Sequence, residues 1–596
     1  MGATIQGDGQ STLSVSKGGI TIWLPGQVFG EGWEVLRERL LEAISQRRFV
    51  AFTPRVMTER HPDPDAPRWK RTCLDVLSWV LFLLKVPTNH KLVQLWYVID
   101  WRAINQLGAA VYHNAHSGRP AWAPAQLVAM LMLMFLYGVA HETTLVARLQ
   151  ENIVWCWFCG FGLFGPFPKH DALYELRSRM GVERFEALLT MAVYACWEAG
   201  LVSNLLVHFD LTPVVASAHR WSPYERAVIL SRALIRYLEL MWAEQVPDTP
   251  FPETLRRLAI EVALEYLPHK STKEVKPERI IESVEKWEQD AEVEESEPVW
   301  KVSSNEIVER LLEEGEDAPG LMELLMASSK RLKERLKGIA KQVLERMPHA
   351  RGDQNARVGR TTSYTWFCGY LLGFVVDNAK QVITAVVWAA GNFKQSKLFK
   401  PALDAHIKRL GKPKAAAADS AFDNYDIHSE LDQEGIVGHI TSRAHAQPRD
   451  GGYGTDRVTW VADSPQPFCP AGKPLQAGRK SSSGRQVFEG TACAGCELYK
   501  RCHPTGAGQP KQFNLNPQAH RRWQENRAHC QTEEYKQAQG QRFASEGRFG
   551  LAKMNHHGAR APYRSDKMNH IAGLMIAVVM DFVILAQHQH AERRFT

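Results

Sequence analysis

The stretch VHFDLTPVVASAHR, residues 207–220, decides the fold class of this chain. Apolar Val207 and Phe209 alternate with polar His208 and Asp210, and this period of two predicts a strand with one buried face. We expect the strand to end at Asp210. A carboxylate beside buried apolar residues is costly to desolvate unless a cation faces it. The sequence therefore raises the question of which cation Asp210 meets.

A second aspartate follows a second apolar run, since the run 415–418 leads directly into Asp419. Two runs rich in β-branched and aromatic residues, 366–378 and 381–392, predict a hairpin ahead of it. A helix over 396–410 and a further strand over 435–440 complete the pattern. The predicted order is strand, hairpin, helix, strand, helix, strand, which indicates a mixed α/β fold with helices packed on the sheet.

A third acid lies in the segment 539–565, which has a helical pattern. At 100° per residue, Arg542, Glu546 and Lys553 fall within about 40° of one another on one face. We expect Phe549 to lie toward this polar side. The stripe expected to pack on the sheet is Phe543, Leu551 and Met554. Helical spacing alone is equally typical of a salt-bridged surface face.

The segments FDLTPVVASA and AADSAFDN, with the run Arg542-x3-Glu546-x6-Lys553, together resemble the DDE-type transposases of bacterial insertion sequences. In those enzymes two strand-end aspartates and a helix-borne glutamate lie on a ribonuclease H-like fold. The resemblance implies that the catalytic residues are Asp210, Asp419 and Glu546. The family often has Tyr three residues before the Arg, where this chain has Gln539.

The resemblance extends over roughly residues 85–585, apart from a charged helical insert. The chain resembles the branch of these transposases that carries a cysteine-bearing, zinc ribbon-like insert before the glutamate. The predicted domains are an N-terminal extension with a helix over 33–45 and a linker (1–68), a helical DNA-binding domain (69–202), a ribonuclease H-like catalytic domain (203–221, 351–445 and 535–590), a charged helical insert (222–350) and a Cys-rich insert (446–534).

The family's chemistry is metal-dependent DNA cleavage and strand transfer, and three carboxylates suit two Mg²⁺ or Mn²⁺ ions. The assignment implied here has Asp210 bridging both ions, Asp419 holding one and Glu546 the other. Double-stranded DNA, at the element ends and at the target, is the expected partner. A homodimer is expected on DNA, because two ends must be brought together. The alternatives are a nuclease that does not join strands and a DNA-binding protein that has lost catalysis.

Four cysteines in the Cys-rich insert are spaced Cys469-x23-Cys493-x2-Cys496-x5-Cys502, with His503 as an alternative fourth ligand. The stretch is polar and rich in Gly and Ser, and we expect it to lack an apolar core. Four thiolates around a C-x2-C turn favour a structural Zn²⁺. Reduced or paired thiols are the alternative. Cys156 and Cys159 have no second pair and are predicted to be buried thiols.

Basic residues near the glutamate and in the N-terminal domain are candidates for DNA contacts. The residues predicted to bind DNA next to the glutamate are Arg542, Lys553, His556, Arg560 and Arg564. A basic helix with Arg177 and Arg179, preceded by Lys169 and His170, is the candidate for recognition of the element ends. Plain helix packing is the alternative interpretation of that helix.

The 596-residue chain has a net charge of +7 and a pI of about 8.8, which is compatible with a polyanionic partner but weak as evidence for one. No signal peptide is apparent, and ten Cys in a chain of this length do not predict a disulfide framework. These features predict a reducing cytoplasm, and the resemblance to bacterial transposases implies a bacterial, nucleoid-associated location. The apolar runs 127–140 and 571–586 are shorter than a membrane span of roughly 20 residues, and we expect both to be core helices.

Overall fold

A computed structural model describes most of the chain from residue 73 to residue 595. The described ranges are 73–109, 111, 122–220, 222–265, 279–284, 329–346, 350–351, 353–360, 365–445, 448–461, 464–480, 485–506 and 508–595. Three N-terminal strands are described as well: β1 (Thr4–Gly7), β2 (Thr12–Lys17) and β3 (Ile20–Pro25), which pair antiparallel. The helix and linker predicted before residue 69 lie outside the described residues.

The region ahead of Asp210 is helical, as predicted. Its helices are α1 (Cys73–Lys85), α2 (Lys91–Val98), α3 (Trp101–Ala109), α4 (Pro124–Leu136), α5 (Glu142–Glu151), α6 (Ile153–Cys159) and α7 (Asp171–Glu198). Every residue of α4 is buried, in keeping with a sequence that is apolar on all sides. Cys156 and Cys159 are fully buried, which confirms the prediction for this pair, and burial raises the pKa of Cys156 to about 12.

A central mixed sheet follows the helical region. Its strands are β4 (Leu206–Val215), β7 (Arg357–Arg360), β8 (Trp366–Asp377), β9 (Ile383–Ala390), β10 (Ala415–Ala418) and β11 (Val437–Ile440). The order is β11-β10-β4-β8, with β7 and β9 both paired to β8. The strands β4, β10 and β11 run parallel, whereas β8 is antiparallel to its partners. The predicted hairpin and the predicted strand before Asp419 are confirmed.

The strand that carries Asp210 does not end there, and this expectation was wrong. β4 continues to Val215 because it stays paired with the long strand β8, where Val215 lies opposite Gly369. Pro213 is tolerated within it since, among the described residues, β10 pairs only with 206–208 and leaves the other edge of β4 open at this point. Asp210 therefore lies in mid-strand.

Helices cover both faces of the sheet. Leu372, Phe374 and Val376 of β8 belong to one apolar cluster with the long helix α17 (Asp566–Phe595) and the N-terminal helices. Leu371 and Val375 alternate with them and pack on the opposite face, with α11 (Phe399–Leu410) and α12 (Tyr425–Glu434). The sheet thus forms the middle layer of this part of the protein.

The charged insert after β4 is helical, as predicted, and has a core of its own. It contains α8 (Pro223–Gln245), α9 (Glu253–Glu265) and α10 (Ser329–Arg346). Their apolar faces form a cluster separate from the sheet. Two short strands, β5 (His219–Arg220) and β6 (Ala350–Arg351), pair where the chain enters and leaves it. A short antiparallel ribbon therefore brings the two ends of the insert together.

The Cys-rich insert holds a small antiparallel sheet of β12 (Leu475–Lys480), β13 (Gln486–Gly490) and β14 (Gln512–Leu515). Val458, Leu475, Phe488, Phe513 and Leu515 form an apolar cluster beneath it. The expectation that this segment lacks a core was wrong, because single apolar residues on separate strands combine only once the sheet has formed. The helices α13 (Tyr499–Cys502) and α14 (Pro517–His529) complete the insert.

The chain returns to the sheet through α15 (Glu533–Gly540), α16 (Arg542–Asn555) and α17. By length and composition α17 is the one helix, within the described residues, that could cross a membrane. However, 78% of its apolar window is buried inside the protein, as in a core helix. Asp581 in this window is fully buried, and its carboxylate accepts a hydrogen bond from the backbone N–H of Ile383.

Candidate active site

Asp210 and Asp419 lie side by side at neighbouring strands. β4 and β10 are parallel, and Ala417 lies opposite His208. Continuing this register by two residues sets Asp419 opposite Asp210. Adjacent strands lie about 4.8 Å apart and side chains in register point to the same face, so the two carboxylates lie near each other on one face of the sheet. This juxtaposition agrees with the predicted pair of acids.

Glu546 is connected to Asp210 through the side chain of Arg542. The Arg542 guanidinium lies 3.2 Å from Glu546 and 3.7 Å from Asp210. Arg542 is 21% exposed and Asp210 18%, whereas Glu546 is 55% exposed. The three side chains form a row that starts at the sheet and ends at the protein surface. Arg542 is thus the cation that Asp210 meets in this structure.

Helix α16 turns its charged face toward the sheet. Phe549 is buried and stacks on Phe374 of β8, with ring centroids 4.7 Å apart. On a helical wheel Phe549 lies within about 60° of Arg542 and Glu546, so the ring and the charges share one face. The predicted packing stripe was wrong: its members are the exposed Phe543 (75%), Leu551 (38%) and Met554 (78%).

The acids influence one another electrostatically. Burial raises the pKa of the Asp210 carboxyl, and the charges of Asp419 and Glu546 raise it further. The backbone N–H of Leu211 and the charge of Arg542 act in the opposite direction. Burial lowers the pKa of Lys553, and the Asp210 carboxylate counteracts that effect. Lys553 and Arg542 therefore supply positive charge beside a crowded group of carboxylates.

Two glutamines hold the start of α16 against the sheet, and sequence reasoning missed both. The Gln539 amide donates to the carbonyls of Ala418 (3.2 Å) and His439 (2.6 Å), the former adjoining Asp419. The Gln541 carbonyl accepts from the Asn378 amide at 2.6 Å. Gln539 stands where the resembled family often has Tyr, and this departure was the available signal.

The segment after α16 is joined to β4. The N–H of Val215 donates to the carbonyl of Ala559 (3.1 Å), and the N–H of Ala561 donates to the carbonyl of Val215 (2.8 Å). Arg560 between them is exposed, as is Arg564. Both keep their side chains available on the surface beyond Asp210.

Two residues predicted to contact DNA, His556 and Arg177, are buried. His556 is buried, and its Nδ1 lies 3.0 Å from the Phe135 carbonyl in the N-terminal region. Arg177 is 2% exposed, pairs with Glu142 and lies over the Tyr563 ring at 4.2 Å. Neither fits a DNA-contacting role. For Arg177 the alternative of helix packing fits, because its buried guanidinium is occupied by the Glu142 carboxylate and the Tyr563 ring.

The four predicted zinc ligands surround one small cavity in the Cys-rich insert. The cavity has a volume of about 20 Å³, and its lining includes Cys469, Cys493, Cys496 and Cys502. Burial raises the pKa of Cys502, and the other three cysteines add to that effect while Lys511 opposes it. His503 is not part of the lining. The four sulfurs thus share a site, and His503 lies outside it.

Neither the acids nor the cysteines stand at metal-binding distances. Among the described residues, no three Asp, Glu, His or Cys side chains come close enough together to hold an ion. The side chains of each set share a location, and binding an ion would require them to move closer together.

The models of two protein families match separate parts of the chain. A family described as "Transposase domain (DUF772)" matches residues 82–179, within the N-terminal helices. A family described as "Transposase DDE domain" matches residues 468–586, from Cys469 past Glu546 into α17. Among curated proteins no match is found. In these two segments the chain is similar to transposases, which supports a transposase of the DDE type.

Proposed function

We propose that this protein is a DNA transposase that cuts at insertion-sequence ends and transfers the freed strands into target DNA through Asp210, Asp419 and Glu546. The observations that carry the proposal are the register of β4 and β10, which aligns Asp210 with Asp419 when continued by two residues, and the contacts of Arg542 with both Asp210 and Glu546. The strand order β9-β8-β4-β10-β11 supports a ribonuclease H-like core, because three antiparallel strands are extended by two parallel ones.

The donor set suits Mg²⁺ or Mn²⁺, since all three side chains are carboxylates. The Oδ1 atoms of Asp210 and Asp419 accept backbone hydrogen bonds from Leu211 and Ala421, which fixes both carboxylates, and the Oδ2 of Asp210 faces the Arg542 guanidinium at 3.7 Å, where a metal ion would replace it. Asp210, Asp419 and Glu546 would together hold the ions. Two such ions supply Lewis-acid activation of the attacking oxygen and stabilisation of the leaving oxygen in phosphoryl transfer.

The remaining residues of the site position DNA. Arg542 and Lys553 flank the carboxylates and would pair with phosphates on either side of the cut bond. Arg560 and Arg564 continue this basic surface beyond Val215, and these four residues form the proposed DNA-contacting set. Phosphate contacts fix the orientation of a duplex without reading its sequence, so recognition of the element ends falls to other parts of the chain.

The cysteine cavity is proposed to hold a structural Zn²⁺ through Cys469, Cys493, Cys496 and Cys502. A zinc ion would staple the turn before β12 to the segment after β13, where the apolar core is small. We also expect a homodimer on DNA, because both element ends have to be brought together.

The proposal is tested with single amide substitutions at the three acids. Asp210→Asn, Asp419→Asn and Glu546→Gln are each expected to lower Mg²⁺-dependent cleavage of the flanking genomic DNA at least about a hundredfold. DNA binding is expected to stay near wild type. Asp404→Asn is the matched control, because Asp404 is a half-exposed acid paired with Lys400 on α11.

Cleavage at the wild-type rate by the Asp210→Asn protein would reject the assignment. Incubating pre-cut ends that carry a 3′-hydroxyl with a target plasmid separates the two enzymatic alternatives. Joined products support a transposase, whereas cutting without joining indicates a nuclease.

A further inference from the structure

Helix α16, which carries Glu546, has arginines directed to carboxylates on two different elements. Arg542 pairs with Asp210 of β4 at 3.7 Å. Arg548 lies near Asp581 of α17, and the charges of these two groups influence each other. Arg548 follows Glu546 by two residues, so their side chains lie about 160° apart around the helix. The helix can therefore be held by ionic contacts from two sides.

The turn between β8 and β9 brings Arg548 and Asp581 to the same place. The Nη2 of Arg548 donates to the Lys380 carbonyl at 3.3 Å. The Oδ1 of Asp581 accepts from the N–H of Ile383 at 2.9 Å. Lys380 and Ile383 are three positions apart, so their Cα atoms lie at most about 11 Å from each other. The guanidinium and the carboxylate thus contact one short stretch of backbone.

Arg548 and Asp581 each have a buried polar atom that makes no hydrogen bond. Within the described part of the chain, neither the Nε of Arg548 nor the Oδ2 of Asp581 has a hydrogen-bond partner. Asp581 is fully buried, so solvent does not satisfy its free oxygen. A buried polar atom without a partner is costly, above all on a charged group. A donor and an acceptor of opposite charge, neighbouring and both unpaired, favour an arrangement in which they meet.

Arg548 is the cation that is available to Asp581. The charge of Arg409 also acts on Asp581. The Arg409 guanidinium, however, is already bonded to three other groups, which belong to Glu186, Thr190 and Thr384. Burial raises the pKa of the Asp581 carboxyl well above its usual range, and the two arginines act against this. A buried carboxyl is anionic only where a cation reaches it, so Asp581 depends on Arg548 for its charge.

We propose that Arg548 is a positioning residue, which closes onto the free Oδ2 of Asp581 and holds α16 against the sheet when Arg542 leaves Asp210. This inference rests on the proposed function, because Arg542 leaves Asp210 only where a metal ion takes its place. At that point α16 loses its ion pair with β4. The contact of Arg548 with Asp581 then keeps Glu546, two residues earlier on the same helix, within reach of the other acids.

The first experiment follows hydrogen exchange of the α16 amides in the full-length chain in EDTA. Arg542→Gln reproduces the loss of the ion pair with Asp210, and Arg548→Gln is then added to it. Protection of α16 is expected to fall about tenfold further in the double variant, because the second ionic contact is lost as well. Adding Asp581→Asn in place of Arg548→Gln should have an equal effect, although asparagine keeps an oxygen for the N–H of Ile383.

Two further variants in the Arg542→Gln background make the exchange readout specific. Arg548→Lys keeps a cation and should retain most of the protection. Arg184→Gln removes a half-buried arginine of α7 that donates to the Met180 carbonyl at 3.2 Å, and it should leave α16 unchanged. Unchanged protection after adding Arg548→Gln would overturn the proposal. A loss spread equally over the whole chain would overturn it as well, because it would indicate unfolding and not release of α16.

Cleavage at varied Mg²⁺ concentration tests the positioning role separately. The Mg²⁺ concentration for half-maximal cleavage is expected to rise about tenfold in the Arg548→Gln protein, while the rate at saturating Mg²⁺ falls less than about threefold. A rate lowered equally at every Mg²⁺ concentration would show that Arg548 only stabilises the fold. Because the exchange experiment needs no metal, the expected loss of α16 protection together with no cleavage by wild type would reject the transposase proposal and leave the contact of Arg548 with Asp581 standing.

Discussion

The Arg542 guanidinium lies 3.7 Å from the carboxylate of Asp210, a residue on a strand far earlier in the chain. The same guanidinium pairs with Glu546. One cation therefore pairs with two of the three acids proposed to bind metal. The positive charge that makes these carboxylates tolerable without ions is also a charge that opposes the entry of ions.

Replacing Arg542 with glutamine is expected to tighten binding of Mn²⁺ and to slow cleavage. Removing a positive charge about 4 Å from the ligands lowers the repulsion on an entering cation, and we expect an affinity gain of about tenfold. Cleavage should fall because the phosphate contact is lost. Titration calorimetry with Mn²⁺ measures the first effect. Arg179→Gln, at a half-exposed surface site on α7, is the control, and equal Mn²⁺ affinity in all three proteins would contradict the prediction.

Two phenylalanines on α16 should respond differently to truncation. Phe549→Ala removes a buried ring stacked on Phe374, and we expect it to lower the free energy of unfolding by about 3–5 kcal/mol. Phe543→Ala removes a ring that is 75% exposed and should cost less than about 0.5 kcal/mol. Chemical denaturation of both variants checks this. A larger loss for Phe543→Ala would mean that α16 packs through its other face.

Stability should fall in weak acid because of His406. This ring is fully buried, with its nitrogens 2.7 Å from the Thr384 hydroxyl and 2.8 Å from the Asn204 side-chain amide oxygen. Burial lowers the pKa of His406 to about 4, and the charge of Arg409 adds to this effect. The unfolded chain takes up a proton near pH 6.5, whereas the folded chain does so only near pH 4. The contribution is therefore complete above pH 6.5 and is lost as the pH falls toward 4.

The loss expected from His406 is about 3 kcal/mol in total. Melting temperatures measured between pH 4 and pH 7 should decline less steeply for His406→Gln than for wild type. His170→Gln, at a half-exposed histidine, should follow the wild-type curve. Parallel curves for His406→Gln and wild type would show that this ring does not set the acid sensitivity.

Zinc content should depend on the cysteines around the cavity and on no others. Cys496→Ser is expected to lower bound zinc by about one ion per chain and to destabilise the Cys-rich insert. Cys530→Ser is the control, because Cys530 lies on the core side of the insert and its thiol bonds to the Ile440 carbonyl. Metal analysis of purified protein gives the answer, and zinc-free wild type would exclude the site.

Local alternation predicted much of the sheet. The hairpin of β8 and β9, the strand that leads to Asp419 and the helical region before Asp210 all follow from patterns within about fifteen residues. The end of β4 could not be found in this way. Its length depends on β8, which lies beyond the charged insert in sequence, so only the pairing with Gly369 reveals it.

The orientation of α16 shows a different limit. Phe549 and the charged residues share a face, and hydrophobicity alone assigns the packing side to Phe543 and Met554 instead. In the actual orientation Arg542 lies between Asp210 and Glu546, and Phe543 and Met554 stay exposed to water. Similarly, Gln539 stands where the resembled family often has tyrosine. Only the folded chain reveals that its amide donates to the carbonyl of Ala418, next to Asp419.

The two hydrogen bonds that join Val215 to the segment after α16 have a consequence for how such proteins diversify. Both ends of α16 are attached to the sheet. Gln539 and Gln541 hold its start, and the two backbone hydrogen bonds of Val215 hold the segment that follows its end. The position of Glu546 is therefore fixed by contacts with the sheet that do not involve the Cys-rich insert. Lengthening or exchanging the Cys-rich insert is expected to alter which DNA shapes the protein accommodates, while the spacing of the acids stays constant.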